Sequence, residues 1–310
     1  YWASEAMINI FLKSMSIEDL LNVRQGLATA DNNRFTKLWN EVSITKCKFD
    51  SKDEDDLQES GKKWVPYNKG GQRRFWYGNY DYVVNWYNKG YEIKNFTDNH
   101  GHTRSVVRNT GYYFKPAITW GLITSGGFSI RYRLPGGIHD VAGMSAFSSS
   151  GNLALQKYIL GVLATPIAQN VFNILNPTIN LQVGDFKNFP VIINESRFSE
   201  VNAYVDQCID LSKSDWDSFE TSWDFQAHPF ILYRKEHAED EAYGLVENCY
   251  QAFKQTCEER FCRLKENEEE LNRIRAEVRK EAGITVSVGV SFCKTFAKLG
   301  SDYKKPDATT

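Results

Sequence analysis

The chain has 310 residues, 42% of them hydrophobic and 14% aromatic, and a formal net charge of −2. That is apolar material for one large core or two modest ones, and the near-neutral balance excludes a uniformly basic polyanion binder, so any nucleic-acid contact must rest on local charge. The opening residues, which start at Tyr1, lack the basic stretch and apolar run of a signal peptide, and no segment approaches the roughly 18 uninterrupted apolar residues of a membrane span.

The expected location is therefore cytoplasmic, with no membrane partner. A chain that opens in mid-pattern is expected to be a fragment of a longer protein.

In chain order, Met7, Ile8, Phe11 and Leu12 recur at helical spacing. The phrase Gly26–Phe35 follows, then an acidic stretch, Asp50–Asp56, expected as a loop. Lys62 to about Ile138 is dense in Gly, Asn, Tyr and Trp, with short apolar runs at Tyr80–Trp86 and Phe128–Tyr132, the grammar of strands and turns. Trp64, Trp76 and Trp86 are expected in the core, because large aromatics are usually buried. Residues 152–175 predict a helix kinked at Pro166, followed by a turn at Asn176-Pro177-Thr178 and a strand at Phe189–Ile193. From Glu195 the chain is charged and helical. Trp216, Phe219, Trp223 and Phe225 are expected to pack as a cap filling a groove between domains. Tyr243, Val246, Tyr250, Phe253, Cys257, Phe261, Leu264 and Leu271 mark one long amphipathic helix.

Six scattered cysteines form no C-x-x-C pair and read as reduced thiols, some of them core filler. His100 and His102, beside Asp98, lack a third nearby ligand and read as loop residues, so no metal is expected.

The first functional signal is local charge. Between Lys62 and Lys115 stand ten basic residues (Lys62, Lys63, Lys69, Arg73, Arg74, Lys89, Lys94, Arg104, Arg108 and Lys115) against three acids (Asp81, Glu92 and Asp98), a balance of +7 interleaved with fourteen aromatics. Basic groups neutralise phosphates, and Asn, Gln and Arg read base edges. The plainer reading is a solvated charged face over an aromatic core, and composition alone leaves both open.

An adenine amino-methyltransferase needs a glycine-rich turn after a strand for its cofactor, and an Asn/Asp-Pro-Pro-Tyr/Phe loop for the flipped base. Neither occurs. Asn176-Pro177-Thr178 lacks the second proline and the aromatic, and no P-loop, nucleophile elbow or H-E-x-x-H helix is found. No catalytic residues are expected in this chain.

Several phrases together resemble the part of PglX-type BREX adenine-specific DNA methyltransferases, a phage-defence family, that follows the catalytic domain. They are Gly26–Phe35 with Trp39–Val42, Trp64–Gly71 with Arg74–Asn79, Val83–Trp86, Ile118–Trp120, Leu175–Asp185 and Ser212–Phe225. The resemblance runs from about Tyr1 to Arg273. It implies an α+β fold: a mixed or antiparallel recognition sheet with flanking helices and a long C-terminal amphipathic helix. It further implies a DNA target-recognition domain over 1–193 and a helical region over 194–273. Contacts to double-stranded DNA would come from Thr29, Asp31, Asn32 and Arg34, from Asn68, Lys69, Arg73, Arg74 and Asn79, and from Arg104 and Arg108. Ala30 stands where the family usually has Gly, so the turn there is expected to differ slightly. The parent family uses S-adenosylmethionine, held by a methyltransferase domain outside this chain. No cofactor is expected on the fragment itself. The alternative role is a scaffold that docks other phage-defence proteins.

A second resemblance covers the end. Residues 274–310, above all Arg275–Asp307, are similar to part of the palm of Y-family DNA polymerases. There Lys305 would lie near an incoming triphosphate, although Cys293 stands where Asn is frequent. The metal-binding carboxylates of that fold are absent, so the tail is expected to add no activity and to form no independent domain.

Overall fold

A computed structural model describes residues 5–149 and 151–282. The first amphipathic stretch forms α1 (Glu5–Lys13). β1 (Met15–Ser16) leads into a one-turn helix, α2 (Ile17–Leu20), closed by a capping box between Ser16 and Asp19, and then into β2 (Leu21–Arg24). The Gly26–Phe35 phrase ends in α3 (Asn32–Phe35), which Asp31 caps by accepting the Arg34 N–H at 3.0 Å, and β3 (Thr36–Leu38) follows. The acidic stretch departs from the expected loop. Asp53 caps a helix, α4 (Glu54–Glu59), whose first turn carries Glu54, Asp55 and Asp56, the charge that a helix N-terminus favours.

The aromatic region then supplies β4 (Trp64–Asn68), β5 (Tyr82–Asn85), the irregular helix α5 (Tyr87–Lys94), β6 (Ala117–Trp120), β7 (Ile130–Arg133), β8 (Ile138–His139) and β9 (Ser145–Ser148). The helix expected to kink at Pro166 is two helices, α6 (Leu153–Leu163) and α7 (Pro166–Leu175), at 83° to each other. Proline at the first position of α7 is tolerated because that N–H would be unpaired anyway. Next come α8 (Val183–Lys187), β10 (Pro190–Val191), α9 (Phe198–Trp216), α10 (Pro229–Glu236) and α11 (Val246–Glu281). Among the described residues no single helix is long and apolar enough to cross a membrane.

One sheet runs β2-β9-β6-β7, all antiparallel, and a second runs β3-β5-β4-β8. In the second sheet β4 changes partner midway: residues 64–66 pair antiparallel with β5, and Tyr67 and Asn68 pair parallel with β8. β1 and β10 form a separate ribbon.

Each large sheet has its own core. The larger core packs Ile118, Trp120 and Ile130 against Leu160 of α6, Val205 of α9 and Leu271 of α11. It draws on both sides of residue 193, and α11 continues unbroken past residue 273, with Ile274 and Val278 buried in the same core. The smaller core gathers Phe35, Val65, Tyr67, Val84, Trp86 and Ile138. Each such aliphatic or aromatic side chain contributes about 1.5–3 kcal/mol by burial. Trp64, Trp76 and Trp86 are buried as expected. Their polar handles then tie elements together: the Trp76 indole donates to Glu268 on α11 at 2.8 Å, and that of Trp86 to Glu54 on α4 at 2.9 Å. Burial pushes the Cys208 thiol up to about 12, in keeping with an inert core cysteine.

The 212–225 segment bridges the two halves. Trp216 is buried in the larger core, Trp223 stacks on Phe49 with centroids 4.4 Å apart, and Trp39 donates to the Thr221 carbonyl. Phe219 does not join this cap, because its side chain is 49% exposed.

Candidate nucleic-acid interface

β4 and β8 run parallel, so both deliver their carboxyl ends to one edge of the molecule. The loops leaving that edge are laced together. Leu27 N donates to the His139 carbonyl at 2.8 Å, Val141 N to Leu27 O at 3.1 Å, Leu122 N to Ala142 O at 3.0 Å and Leu181 N to Leu122 O at 2.8 Å. Loops 25–31, 121–127, 140–143 and 176–181 therefore form one rim, and loop 69–75 joins it where Gly70 lies against Ala142 and Gly121 and Arg73 against Gly127. Beside them the segment 104–115 lies antiparallel to 24–28, through paired Ala28–Val106 backbone bonds and the Asn109 amide on the Gln25 carbonyl.

Buried polar groups hold this rim. Asn68 donates to Thr119 at 2.7 Å and to the Gly143 carbonyl at 3.0 Å, joining the second sheet to the first. Asn79, in a left-handed conformation with φ +62°, donates to the carbonyls of Gly70 and Gln72. Arg131 is fully buried and donates to the Gly70 carbonyl, and burial lowers its pKa to about 10. Arg133 is held the same way on the carbonyls of Lys115 and Gly137, also lowered to about 10 by burial. Burial likewise raises the Asp140 carboxyl, against the opposing pull of the Tyr67 hydroxyl and Lys69. His139 is completely buried and flanked by the Tyr113 and Phe147 rings, and desolvation followed by the Arg133 charge drives its pKa far below the ordinary histidine value.

The ten basic residues of the 62–115 region divide into two sets. Lys63 pairs with Glu92, Lys89 with Asp55 and Lys94 with Glu54, so α4 and α5 neutralise three of them. Lys62, Lys69, Arg73, Arg74, Arg104, Arg108 and Lys115, with Arg24 and Arg34 beside them, have no carboxylate within 4.0 Å among the described residues, while Asp140, Asp81 and Asp98 act on Lys69, Arg74 and Arg104 only at longer range. Instead, most of these side chains lie on aromatic rings. Arg34 and Arg104 share Phe96, Arg24 and Lys115 share Tyr112, Lys69 lies over Tyr67 and Tyr82, Arg73 over Phe75, and Arg74 over Trp216. A ring face positions a cation without neutralising it.

The residues singled out from sequence fall into two groups. Asn32, Arg34, Arg73, Arg104 and Arg108 are exposed on the rim, with Lys69, Arg74 and Asp31 half-buried beside them. Thr29, Asn68 and Asn79 are buried, at 2%, 8% and 6% exposure, and their hydrogen bonds go to the chain itself; the Thr29 hydroxyl donates to Asn32 at 2.9 Å. Sequence reasoning missed Arg24, Arg131 and Arg133, and counted Lys115 only toward the local charge. Arg131 and Arg133 alternate with Ile130 and Tyr132, the pattern of a half-exposed strand, yet all four are buried. His100 and His102 stand in an exposed loop, and among the described residues no cluster of three or more His, Cys, Asp or Glu could hold a metal.

Ala30 keeps the glycine conformation, with φ +62°. An L-residue there is strained by roughly 1 kcal/mol, and Ala30 is exposed at the head of α3. Ala30→Gly is expected to be neutral to stabilising by up to about 1 kcal/mol in urea denaturation, where Gly for Ala ordinarily destabilises. A clear loss of stability would show that this backbone carries no strain.

On this mixed α+β scaffold the rim carries basic side chains that have no carboxylate within ion-pair distance among the described residues. The 36% identity with the adenine-specific methyltransferase PglX of Lacticaseibacillus casei (strain Zhang) extends over 276 residues, 88% of this chain and 22% of that protein. The adenine-specific methyltransferase BrxX of Escherichia coli O9:H4 (strain HS) is 32% identical over 250 residues, 80% of this chain and 19% of that protein. The chain is homologous to the PglX and BrxX adenine-specific methyltransferases over most of its length, and it spans about a fifth of theirs. Its end is similar to a different family. The model of the impB/mucB/samB family matches residues 208–302, a span that starts well before residue 274, and DNA polymerase IV of Acetivibrio thermocellus is 67% identical over 39 residues, 13% of this chain and 10% of that protein.

Proposed function

We propose that this chain reads DNA sequence on behalf of an adenine-specific methyltransferase, with residues 1–193 forming the recognition unit and 194–273 its helical support. The observation that supports this is the set of basic side chains on the rim, without a carboxylate in ion-pair distance among the described residues, while Lys63, Lys89 and Lys94 are paired. An unneutralised row of cations releases counterions when it meets phosphates, which supplies affinity without sequence information. Polar loops between the cations would then read base edges. Of the residues singled out from sequence, Asn32, Arg34, Lys69, Arg73, Arg74, Arg104 and Arg108 would make the contacts. Thr29, Asn68 and Asn79 would hold the loops that carry them, and Asp31 would fix the head of α3.

The methyltransferase names of the homologues support a methyltransferase-related role. Among the described residues the fit to S-adenosylmethionine is poor. The parallel pair β4–β8 is followed by rim loops and not by a glycine turn opening a helix. Methyl transfer and extrusion of the adenine are assigned to the remainder of such an enzyme.

The test is equilibrium binding of the 310-residue chain to a library of short duplexes at low and moderate salt. Selective binding that weakens steeply with salt is the expected result, and binding to no duplex at low salt would sink the reading. A second reading, docking of another defence protein, has one observation in its favour: Val246 and Phe261 on α11 and Leu245 just before it are 70%, 59% and 64% exposed.

A further inference from the structure

We propose that the hairpin Phe96–Arg104 is the part of the rim that enters a DNA groove, with Arg34 and Arg104 on phosphates at its base and Asn99, His100 and His102 facing base edges. This assignment rests on the DNA-reading proposal above and names the element that does the reading.

The hairpin builds itself. Asp98 N donates to the His102 carbonyl at 2.9 Å and Arg104 N to the Phe96 carbonyl at 2.9 Å, with Thr97 and Thr103 paired between them. At the tip Gly101 turns with φ +83°, a conformation that glycine adopts without penalty. The Asp98 carboxylate accepts the backbone N–H groups of His100 at 2.8 Å and His102 at 2.9 Å, lies 3.4 Å from the His102 Nδ1 and acts at longer range on Arg104, so the one acid of the hairpin is engaged within the hairpin and leaves the His102 Nε2 edge to face outward. The base is fixed to the smaller core: Phe96 meets Phe35 edge-on at 5.3 Å, and the buried Ser105 hydroxyl donates to the Ile93 carbonyl.

Everything else points outward. Thr97, Asn99, His100, Gly101, His102, Thr103 and Arg104 are all exposed, and the side chains of Asn99 and His100 have no hydrogen-bond partner among the described residues. The core needs none of these side chains. A two-stranded ribbon of this kind fits a major groove about 12 Å wide, where Asn and His can exchange hydrogen bonds with base edges.

The flanking charges agree with that placement. The guanidinium groups of Arg34 and Arg104 lie 5.4 and 5.0 Å from the centroid of the same Phe96 ring, and neither has a carboxylate in ion-pair range among the described residues. Two like charges gathered on one ring repel each other, and an anion beside them relieves that repulsion. Phosphates flanking a groove supply the anion at the right place. Phe96 is then a positioning residue for both arginines.

The test uses two variants of the 310-residue chain against the same duplex library. Asn99→Ala/His100→Ala/His102→Ala is expected to lower the ratio of preferred to random-sequence affinity by at least about tenfold, with the salt dependence unchanged. Arg34→Ala/Arg104→Ala is expected to weaken binding to every sequence alike and to reduce the log–log salt slope by about two. All five positions are exposed, so thermal melting should match the parent chain and a folding defect would be visible there. If the triple variant keeps its selectivity, or loses affinity for all duplexes with the ratio intact, the hairpin assignment is overturned while DNA reading stands. If the unaltered chain shows no selective binding, both fall together.

Discussion

Replacing Arg73, Arg104 and Arg108 together by alanine is expected to weaken binding to any duplex by roughly a hundredfold at low salt, and to flatten the salt slope by about three. These three are chosen because their loss leaves the fold alone. All are exposed, Arg73 and Arg104 lie over the Phe75 and Phe96 rings, and Arg108 makes a single surface hydrogen bond to Gln25 at 3.1 Å. Arg74 is left in place because it lies on Trp216, which packs in the larger core. The matched control removes Lys63, Lys89 and Lys94, three positive charges of the same sequence region whose carboxylate partners already neutralise them. If that control loses as much affinity as the arginine variant, bulk charge and not the rim is responsible. If neither variant changes the salt slope, DNA binding by this face is excluded.

Gly26→Ala is expected to leave little folded protein. A methyl group there would sit 1.7 Å from the His139 carbonyl oxygen and 2.4 Å from its carbon. That oxygen already accepts the Leu27 N–H at 2.8 Å, so the two segments cannot separate without breaking the seam that positions the rim. His139 itself is enclosed by the Tyr113 and Phe147 rings and has nowhere to retreat. A backbone clash of this severity costs about 3 kcal/mol or more, a large share of the roughly 5–15 kcal/mol that holds a domain folded. Gly111→Ala is the control: nothing lies within 4 Å of the added carbon. It should shift urea stability by no more than about 0.5 kcal/mol. Equal stability of the two variants would show that the seam is not close-packed.

The elements most legible in sequence were those whose evidence is local. The 3–4-residue recurrence from Tyr243 to Leu271 predicts one long helix, and α11 occupies Val246–Glu281. Pro166 marked the break between α6 and α7, and the short aromatic runs marked β5 and β7. β4 was harder to characterise. All five of its residues are buried, with Val65 and Tyr67 in the smaller core and Trp64 packed with Cys47 and Val83 on the other face, so the alternation that betrays a half-exposed strand is missing. Only the fold shows that the Asp50–Asp56 stretch contains a helix, since Asp53 works as a cap once α4 has a core, through Leu57, to pack on.

By itself the sequence determined the long terminal helix, the buried tryptophans and the excess of positive charge between Lys62 and Lys115. Each follows from composition or from a period of two to four residues, properties a chain carries before it folds. Only the tertiary structure decided which of those charges remain unneutralised, because Lys89 meets Asp55 and Lys94 meets Glu54 across more than thirty residues of chain. It also decided that Asn68 and Asn79 hold the rim from inside while Arg34 and Arg104 meet on Phe96. Burial and ion pairing are set by neighbours in space, and the parallel meeting of β4 with β8, seventy residues apart, supplies those neighbours.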